Sequence, residues 1–311
     1  MEWIKQGNIF KVDGHDIPWV KSHACVPTAF VLDENRIRIY YAPRNDKGQS
    51  IPTFFDVSAD DPSKILYVHK NPIMSLGELG TFDDGGNMPC CVVRCGELIY
   101  LYYVGWNPSV SVAYRNAIGL AVSKDGGVTF KKMFKGALLD RNRDEPFFTA
   151  SPWVMRESDD VWHMWYASST GFLTVKENVE PLYVIKYAHS RNGIDWIREN
   201  KTCINPLQRE EANARATVLK ENGIYKMWFA YRGSQDFRDG KDAYRIGYAE
   251  SFNAIDWKRN DKAAGISYSP AGWDSTMQTY PNICDCNGKR YLFYNGNGFG
   301  ASGIGYAIWK N

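Results

Sequence analysis

One landmark recurs along this chain at a nearly constant interval: a Pro, once replaced by Ala, that opens a run of β-forming residues. It stands in His23-Ala-Cys-Val-Pro27, Asn87-Met-Pro89, Ala150-Ser-Pro152, Arg215-Ala216 and Tyr280-Pro281, at spacings of 62, 63, 64 and 65 residues. A period this regular dictates a stack or ring of like units rather than one continuous core. A unit of this length suits one four-stranded propeller blade with a long loop. The stretch Phe147 to Trp196 is the clearest copy: three β-type runs, a turn carrying Asn192-Gly193, and a Trp that opens a fourth run.

Each landmark is followed by a second run rich in aromatic and β-branched residues. These begin at Arg36, Leu98, Val161, Tyr225 and Arg290. Third runs begin at Ile118, Tyr183, Tyr244 and Gly303, and the first unit departs with Pro52-Thr-Phe-Phe-Asp-Val. Such runs, bounded by turn residues, read as strands. Asn-Gly and Asp-Gly pairs then supply the positive φ that tight hairpins require. The turn at Ser123-Lys-Asp-Gly-Gly-Val-Thr-Phe resembles the Asp-box of sialidases, in which the acid is a turn residue, so Asp125 is read as structural.

The ends of the chain bear on closure. The fifth unit stops at Ala307-Ile-Trp-Lys-Asn311 without a fourth strand, while the chain begins with Trp3-Ile-Lys-Gln-Gly-Asn-Ile-Phe, a match to the fourth strand of unit three. The expectation is therefore an all-β, five-bladed β-propeller with four-stranded blades, spanning residues 1–311 as a single domain. The N-terminal strand closes the last blade, which leaves no open edge.

Composition narrows the classes. The 311 residues contain 14% aromatics and 27 Gly, which favours strands and tight turns. A net charge of +2 without basic clusters gives no reason to expect a nucleic-acid partner. No apolar run reaches the length of a membrane span. An initial Met and the lack of a secretory pattern give a cytoplasmic expectation. Seven Cys, several inside strand-like runs, suit reduced buried thiols. Cys91-x3-Cys95 and Cys284-x-Cys286 lack zinc spacing, so no metal and no cofactor is expected. Oligomeric state is not legible.

In a propeller the loops that enter the innermost strands converge on one face, the default site. Four of them carry acids: Asp83 and Asp84, then Asp144 and Glu145, then Glu211, then Asp274. Asp84, Glu145, Glu211 and Asp274 are the candidate catalytic carboxylates. Asp83, Asp144, Arg143, Arg215 and His23 are candidate binding groups, with Trp273 and Tyr280 as stacking faces, and Trp106 and Phe299 beside them. Carboxylates and Arg hydrogen-bond sugar hydroxyls, and aromatic faces cover pyranose C–H surfaces.

The architecture, with inner strands opening on x-Pro-x-Val, resembles the propeller glycosidases: arabinanases, β-xylosidases, fructosidases, levansucrases and mannoside phosphorylases. Ile118-Gly-Leu-Ala-Val-Ser, Tyr244-Arg-Ile-Gly-Tyr-Ala, Gly272-Trp-Asp-Ser and Tyr294-Asn-Gly-Asn-Gly-Phe-Gly are similar to a branch of uncharacterised bacterial relatives found with surface-polysaccharide genes. The resemblance implies a carbohydrate-active protein with an acid just before the landmark in blades one to three. This chain has Val26, Met88 and Ser151 there. Arg143-Asp144-Glu145-Pro is similar to the family's Arg-Asp-Pro but lies seven residues early. The expected function is glycoside hydrolase-like, acting on a glycosidic bond or activated sugar. The alternatives are a non-catalytic glycan-binding propeller and a sugar phosphorylase or nucleotide-sugar enzyme. The expected ligand is a carbohydrate or nucleotide-sugar.

Overall fold

In a computed structural model, residues 2–238 and 240–310 are described. Among the described residues, twenty strands form five antiparallel sheets of four. Blade one is β2 (Ser22–Asp33), β3 (Arg36–Arg44), β4 (Thr53–Ser58) and β5 (Ile65–Val68). Blade two is β6 (Gly86–Cys95), β7 (Leu98–Pro108), β8 (Tyr114–Ser123) and β9 (Lys131–Lys132). Blade three is β10 (Thr149–Arg156), β11 (Trp162–Val175), β12 (Asn178–Ser190) and β13 (Trp196–Ile204). Blade four is β14 (Ala212–Glu221), β15 (Ile224–Arg232), β16 (Arg245–Ser251) and β17 (Lys258–Arg259). Blade five is β18 (Thr279–Cys286), β19 (Lys289–Asn295) and β20 (Ile304–Lys310), completed by β1 (Glu2–Phe10), which pairs antiparallel with β20. The innermost strands β2, β6, β10, β14 and β18 touch one another in order around the ring, and β18 meets β2 again. The five-bladed, N-terminally closed propeller expected from the repeat is the fold.

Both faces of each blade are buried between neighbours, so the second strands are apolar on both sides rather than alternating. Adjacent residues of one strand therefore serve opposite interfaces. Met164 and Tyr166 pack toward blade two with Tyr102 and Leu120, while Trp165 packs toward blade four with Met227 and Phe229. The Asp-box turn is structural, as expected: the Asp125 carboxylate accepts from the Val128 and Thr129 backbone N–H groups and from the Ser123 and Thr129 hydroxyls. These bonds hold its pKa down, to about 2, against the opposing effect of burial. No helix among the described residues is long and apolar enough to cross a membrane.

The landmark has a physical cause. At Val26, Ser151, Arg215 and Tyr280 the backbone is left-handed, with φ of 57°, 48°, 50° and 54°. The ladder register skips there, passing from Cys25 to Thr28, Ala150 to Trp153, Ala214 to Thr217 and Thr279 to Asn282. These are β-bulges in the innermost strands, and a Pro in a bulge surrenders no ladder hydrogen bond. A bulge re-aims its side chain. In three of these four blades the bulged residue, Val26, Ser151 or Tyr280, lines the cavity described next.

Candidate functional site

The structure assigns most of the expected loop acids to a clasp repeated in four of the five blades. In blade two the buried Asp83 accepts from the Tyr103 hydroxyl at 2.9 Å and pairs with Lys132 of β9 at 2.5 Å. In blade three Glu145 accepts from the Tyr166 hydroxyl at 2.8 Å, with Arg198 of β13 at 3.7 Å. In blade four Glu211 pairs with Arg259 of β17 at 2.5 Å. In blade five Asp274 pairs with Lys5 of β1 at 2.7 Å and accepts from the Tyr294 hydroxyl at 2.9 Å. Each acid ties the loop entering the innermost strand to the outermost strand of the same blade. Asp84 caps its own loop, accepting from the Gly80 N–H at 2.7 Å. None of Asp83, Asp84, Glu145, Glu211 and Asp274 lines the cavity at the channel mouth. These carboxylates, expected to converge on one funnel, face bases of their own blades, or for Asp84 its own loop, instead of this cavity: buried acids need partners, and those cations stand on the outer strands.

The expected binding groups also part company. Arg143 is almost fully exposed, with Asp144 at 3.6 Å. Trp273 packs against Tyr294, ring centroids 5.0 Å apart. His23 shares a 2.8 Å hydrogen bond with Ser22, and burial, then Arg44, lowers its pKa to about 4. Arg215 is 0% exposed and donates to the carbonyls of Cys90 and Pro27 and to the Thr28 hydroxyl. It thereby ties the innermost strands of blades four, two and one together, and burial lowers its pKa. Arg143, Asp144, Trp273, His23 and Arg215 are absent from the cavity wall, which does include Tyr280, together with Trp106 and Phe299.

The cavity has a volume of about 400 Å³. Its floor is made by the innermost strands, with Val26, Met88, Ala150, Ser151, Ala214 and Tyr280. Its walls come from the connections between second and third strands. Blade one gives Arg44, blade two Trp106 and Asn116, blade three Glu180 and Tyr183, and blade four Arg232, Phe237, Arg238 and Tyr244. Sequence reasoning searched the other set of loops and, of these residues, named only Trp106; it missed the rest. A signal was present in the long connection 233–244, where Phe237-Arg238 sits in a loop longer than a turn requires.

Arg232 organises the blade-four wall. Its Nε donates to the Tyr183 and Tyr244 hydroxyls at 3.2 and 3.3 Å, and its guanidinium carbon lies 3.8 Å from the Phe237 ring centroid. Burial opposes its charge, but the two phenol oxygens outweigh that and raise its pKa. Tyr244, itself buried, is held well above its ordinary pKa and stays neutral. Glu180 pairs with Arg238 at 2.7 Å and is the one carboxylate in the wall among the described residues. Aromatic faces, hydroxyls and arginines around one cavity are equipped to take a polyhydroxylated ring. A second carboxylate for paired acid–base work is lacking among the described lining residues.

No family model matches the chain. It is 33% identical over 312 residues to the uncharacterized proteins MT1551 and Rv1502 of Mycobacterium tuberculosis, covering 100% of itself and of each of them. The chain belongs to the family of these mycobacterial proteins. Among solved structures, a BT0996 RGII complex superposes with a TM-score of 0.77 at 16% identity, over 99% of this chain and 92% of that one. A thermostable family-43 glycoside hydrolase gives 0.65 at 15%, over 94% and 90%. A member of the GH130 family of mannoside phosphorylases, which contains glycoside hydrolases targeting β-1,2-mannosidic linkages in Candida mannan, gives 0.68 at 14%, over 100% and 90%. The propeller is thus the one seen in glycoside hydrolases and mannoside phosphorylases, as the resemblance implied. At these identities the likeness carries the fold alone.

Proposed function

We propose that this protein is carbohydrate-active and takes its sugar in the channel-mouth cavity, in place of the loop-acid site expected from the sequence. The observation that carries this reading is the wall itself. Trp106, Tyr280 and Phe299 offer apolar faces, while Ser151, Asn116 and the arginines offer hydrogen bonds. Two-carboxylate hydrolysis needs carboxyl groups roughly 5–10 Å apart, and this wall supplies only Glu180 among the described residues. Glu180 is also already engaged by the Arg238 guanidinium, at 2.7 Å. Recognition without turnover is therefore the form of activity the geometry supports best.

A glycosidase-like enzyme is the second reading, favoured by Glu180 because it is buried yet in the wall. With one carboxylate, such an enzyme needs its second reacting group from a co-substrate, as in phosphorolysis. Calorimetry against neutral, acidic and phosphorylated sugars tests both. A ligand whose binding is lost in Trp106→Ala and Tyr280→Ala supports the cavity. Turnover of that ligand, abolished in Glu180→Gln, selects the enzyme. A ligand that binds both aromatic variants as well as wild type removes the cavity as the site.

A further inference from the structure

The cavity wall is electrically unbalanced. Three arginines, Arg44, Arg232 and Arg238, face one carboxylate, Glu180, so two positive charges (three minus one) are unmatched among the described lining residues. The pairing of Arg238 with Glu180 at 2.7 Å accounts for one cation. Arg232 is 1% exposed, and its acceptors are the two phenols, the Pro181 and Gly233 carbonyls and the Ser234 hydroxyl. None of these is a carboxylate. A buried guanidinium is costly unless a counter-charge is near. Arg44, by contrast, is exposed at the end of β3, and none of its guanidinium nitrogens has a carboxylate partner among the described residues.

The imbalance continues beneath the floor. Arg215 is wholly buried next to the floor residue Ala214, and its acceptors are the Cys90 and Pro27 carbonyls and the Thr28 hydroxyl. Its Nε has no partner among the described residues. Two buried cations without carboxylates, and a third at the mouth, set a positive potential in the cavity, which a concave, low-dielectric wall focuses.

Resting on the reading that the cavity is the sugar site, we infer that the sugar it takes carries an anionic group, a carboxylate or a phosphate, held by Arg44. The assignment to Arg44 follows from its available donors. Every nitrogen of the Arg232 guanidinium already donates inside the protein, so Arg232 acts on the ligand through its charge. Arg44 can offer a two-pronged, charge-assisted hydrogen bond. Trp106 and Tyr280 then meet the apolar face of the ring.

The test is calorimetry on the full chain with glucuronate, galacturonate, glucose 1-phosphate and inorganic phosphate, set against glucose and galactose. An acidic sugar is expected to bind at least about tenfold more tightly than its neutral counterpart, and more weakly as salt is raised. Arg44→Ala is expected to weaken that acidic ligand roughly ten- to hundredfold, the value of a charged hydrogen bond, with little change for a neutral sugar. Glucuronate against glucose 1-phosphate separates a carboxylate from a phosphate, and inorganic phosphate reports whether the anion subsite acts without the ring. A neutral sugar binding as tightly as its acid, and lost in Trp106→Ala, would overturn the anionic requirement and leave the cavity in place. Acidic ligands indifferent to both Arg44→Ala and Trp106→Ala would overturn the cavity reading itself. Failure of all four anionic probes to bind would overturn the inference.

Discussion

The Lys5 ammonium lies 2.7 Å from the Asp274 carboxylate, across 269 residues of chain. This contact joins the N-terminal strand to the loop that enters the last innermost strand, so it reinforces the seam of the ring. Asp274 is 0% exposed and also receives Tyr294 and Gln278. Lys5→Met leaves that carboxylate buried without its cation. The expected loss is ~2–3 kcal/mol, below the ~3–5 typical of a fully buried pair because the Lys5 side chain keeps some solvent. Urea midpoints measure it. Lys5→Met with Asp274→Leu should recover part of the loss, since the orphaned charge is then gone. An unchanged midpoint in Lys5→Met would show that the clasp adds nothing to closure.

Glu157 gives the pH dependence a definite sign. On the seam between blades three and four it accepts from Lys220 and from the Tyr225 hydroxyl, with His163 at 3.0 Å. The Lys220 bond first, then the Tyr225 bond, lowers its pKa from an ordinary 4.5 to about 2. The folded value lies below the unfolded one, so the stabilisation is complete above pH 4.5 and drains away as the pH falls toward 2. The stability difference between wild type and Glu157→Gln should therefore be flat at higher pH and shrink through that window. Chemical denaturation at a series of acidic pH values measures it. A difference that persists unchanged at the bottom of the window would mean that the ionised carboxylate is not what stabilises the seam.

The fold could be read because its repeated device is written in residue type. A bulge with Pro after a left-handed residue recurs in Val26-Pro27, Ser151-Pro152 and Tyr280-Pro281. The site could not be read the same way. A loop acid aimed at the channel and one aimed back at its own blade occupy the same stretch of sequence. What separates them is the base opposite, and Lys132, Arg198, Arg259 and Lys5 stand singly in outer strands that are short or remote in sequence. Aligning those bases across the units would have exposed the clasp. The cavity arginines gave less away, because Arg44 and Arg232 end strands in different blades and only ring closure brings them to one wall.

Gly193 tests how tightly the turns pack between blades. Its φ is +74°, its carbonyl accepts from Tyr102 of blade two at 2.8 Å, and a Cβ there would meet the Tyr102 oxygen at 2.7 Å and the Trp162 ring at 2.9 Å. Gly126 has the same φ of +74° in the Asp-box turn, but nothing lies within 4 Å of its Cβ position. Gly126→Ala should cost only the left-handed strain, ~1–2 kcal/mol. Gly193→Ala should cost ~2–4 kcal/mol, because overpacking against two rigid rings adds to the strain. Thermal and urea unfolding of the pair separate the two terms. Equal losses would mean that the blade interface yields freely.

Ser151 carries the last prediction, because it combines strain with a place in the cavity wall. Its φ is 48°, an expensive region for a side chain with a Cβ, and no hydrogen bond of its hydroxyl to another described protein group offsets that cost. Ser151→Gly removes a left-handed penalty of ~1–2 kcal/mol and adds ~0.5–1 kcal/mol of chain entropy, so a net gain of up to ~1.5 kcal/mol is expected. The same change takes a hydroxyl out of the wall, and the affinity of a sugar that the cavity binds should fall by about three- to tenfold, the worth of one neutral hydrogen bond. Stability rising while affinity falls is the signature of strain retained for function. Melting temperature and calorimetry on one preparation read both. A Ser151→Gly variant that melts lower would mean that the hydroxyl supports the bulge, and the strain argument would fail.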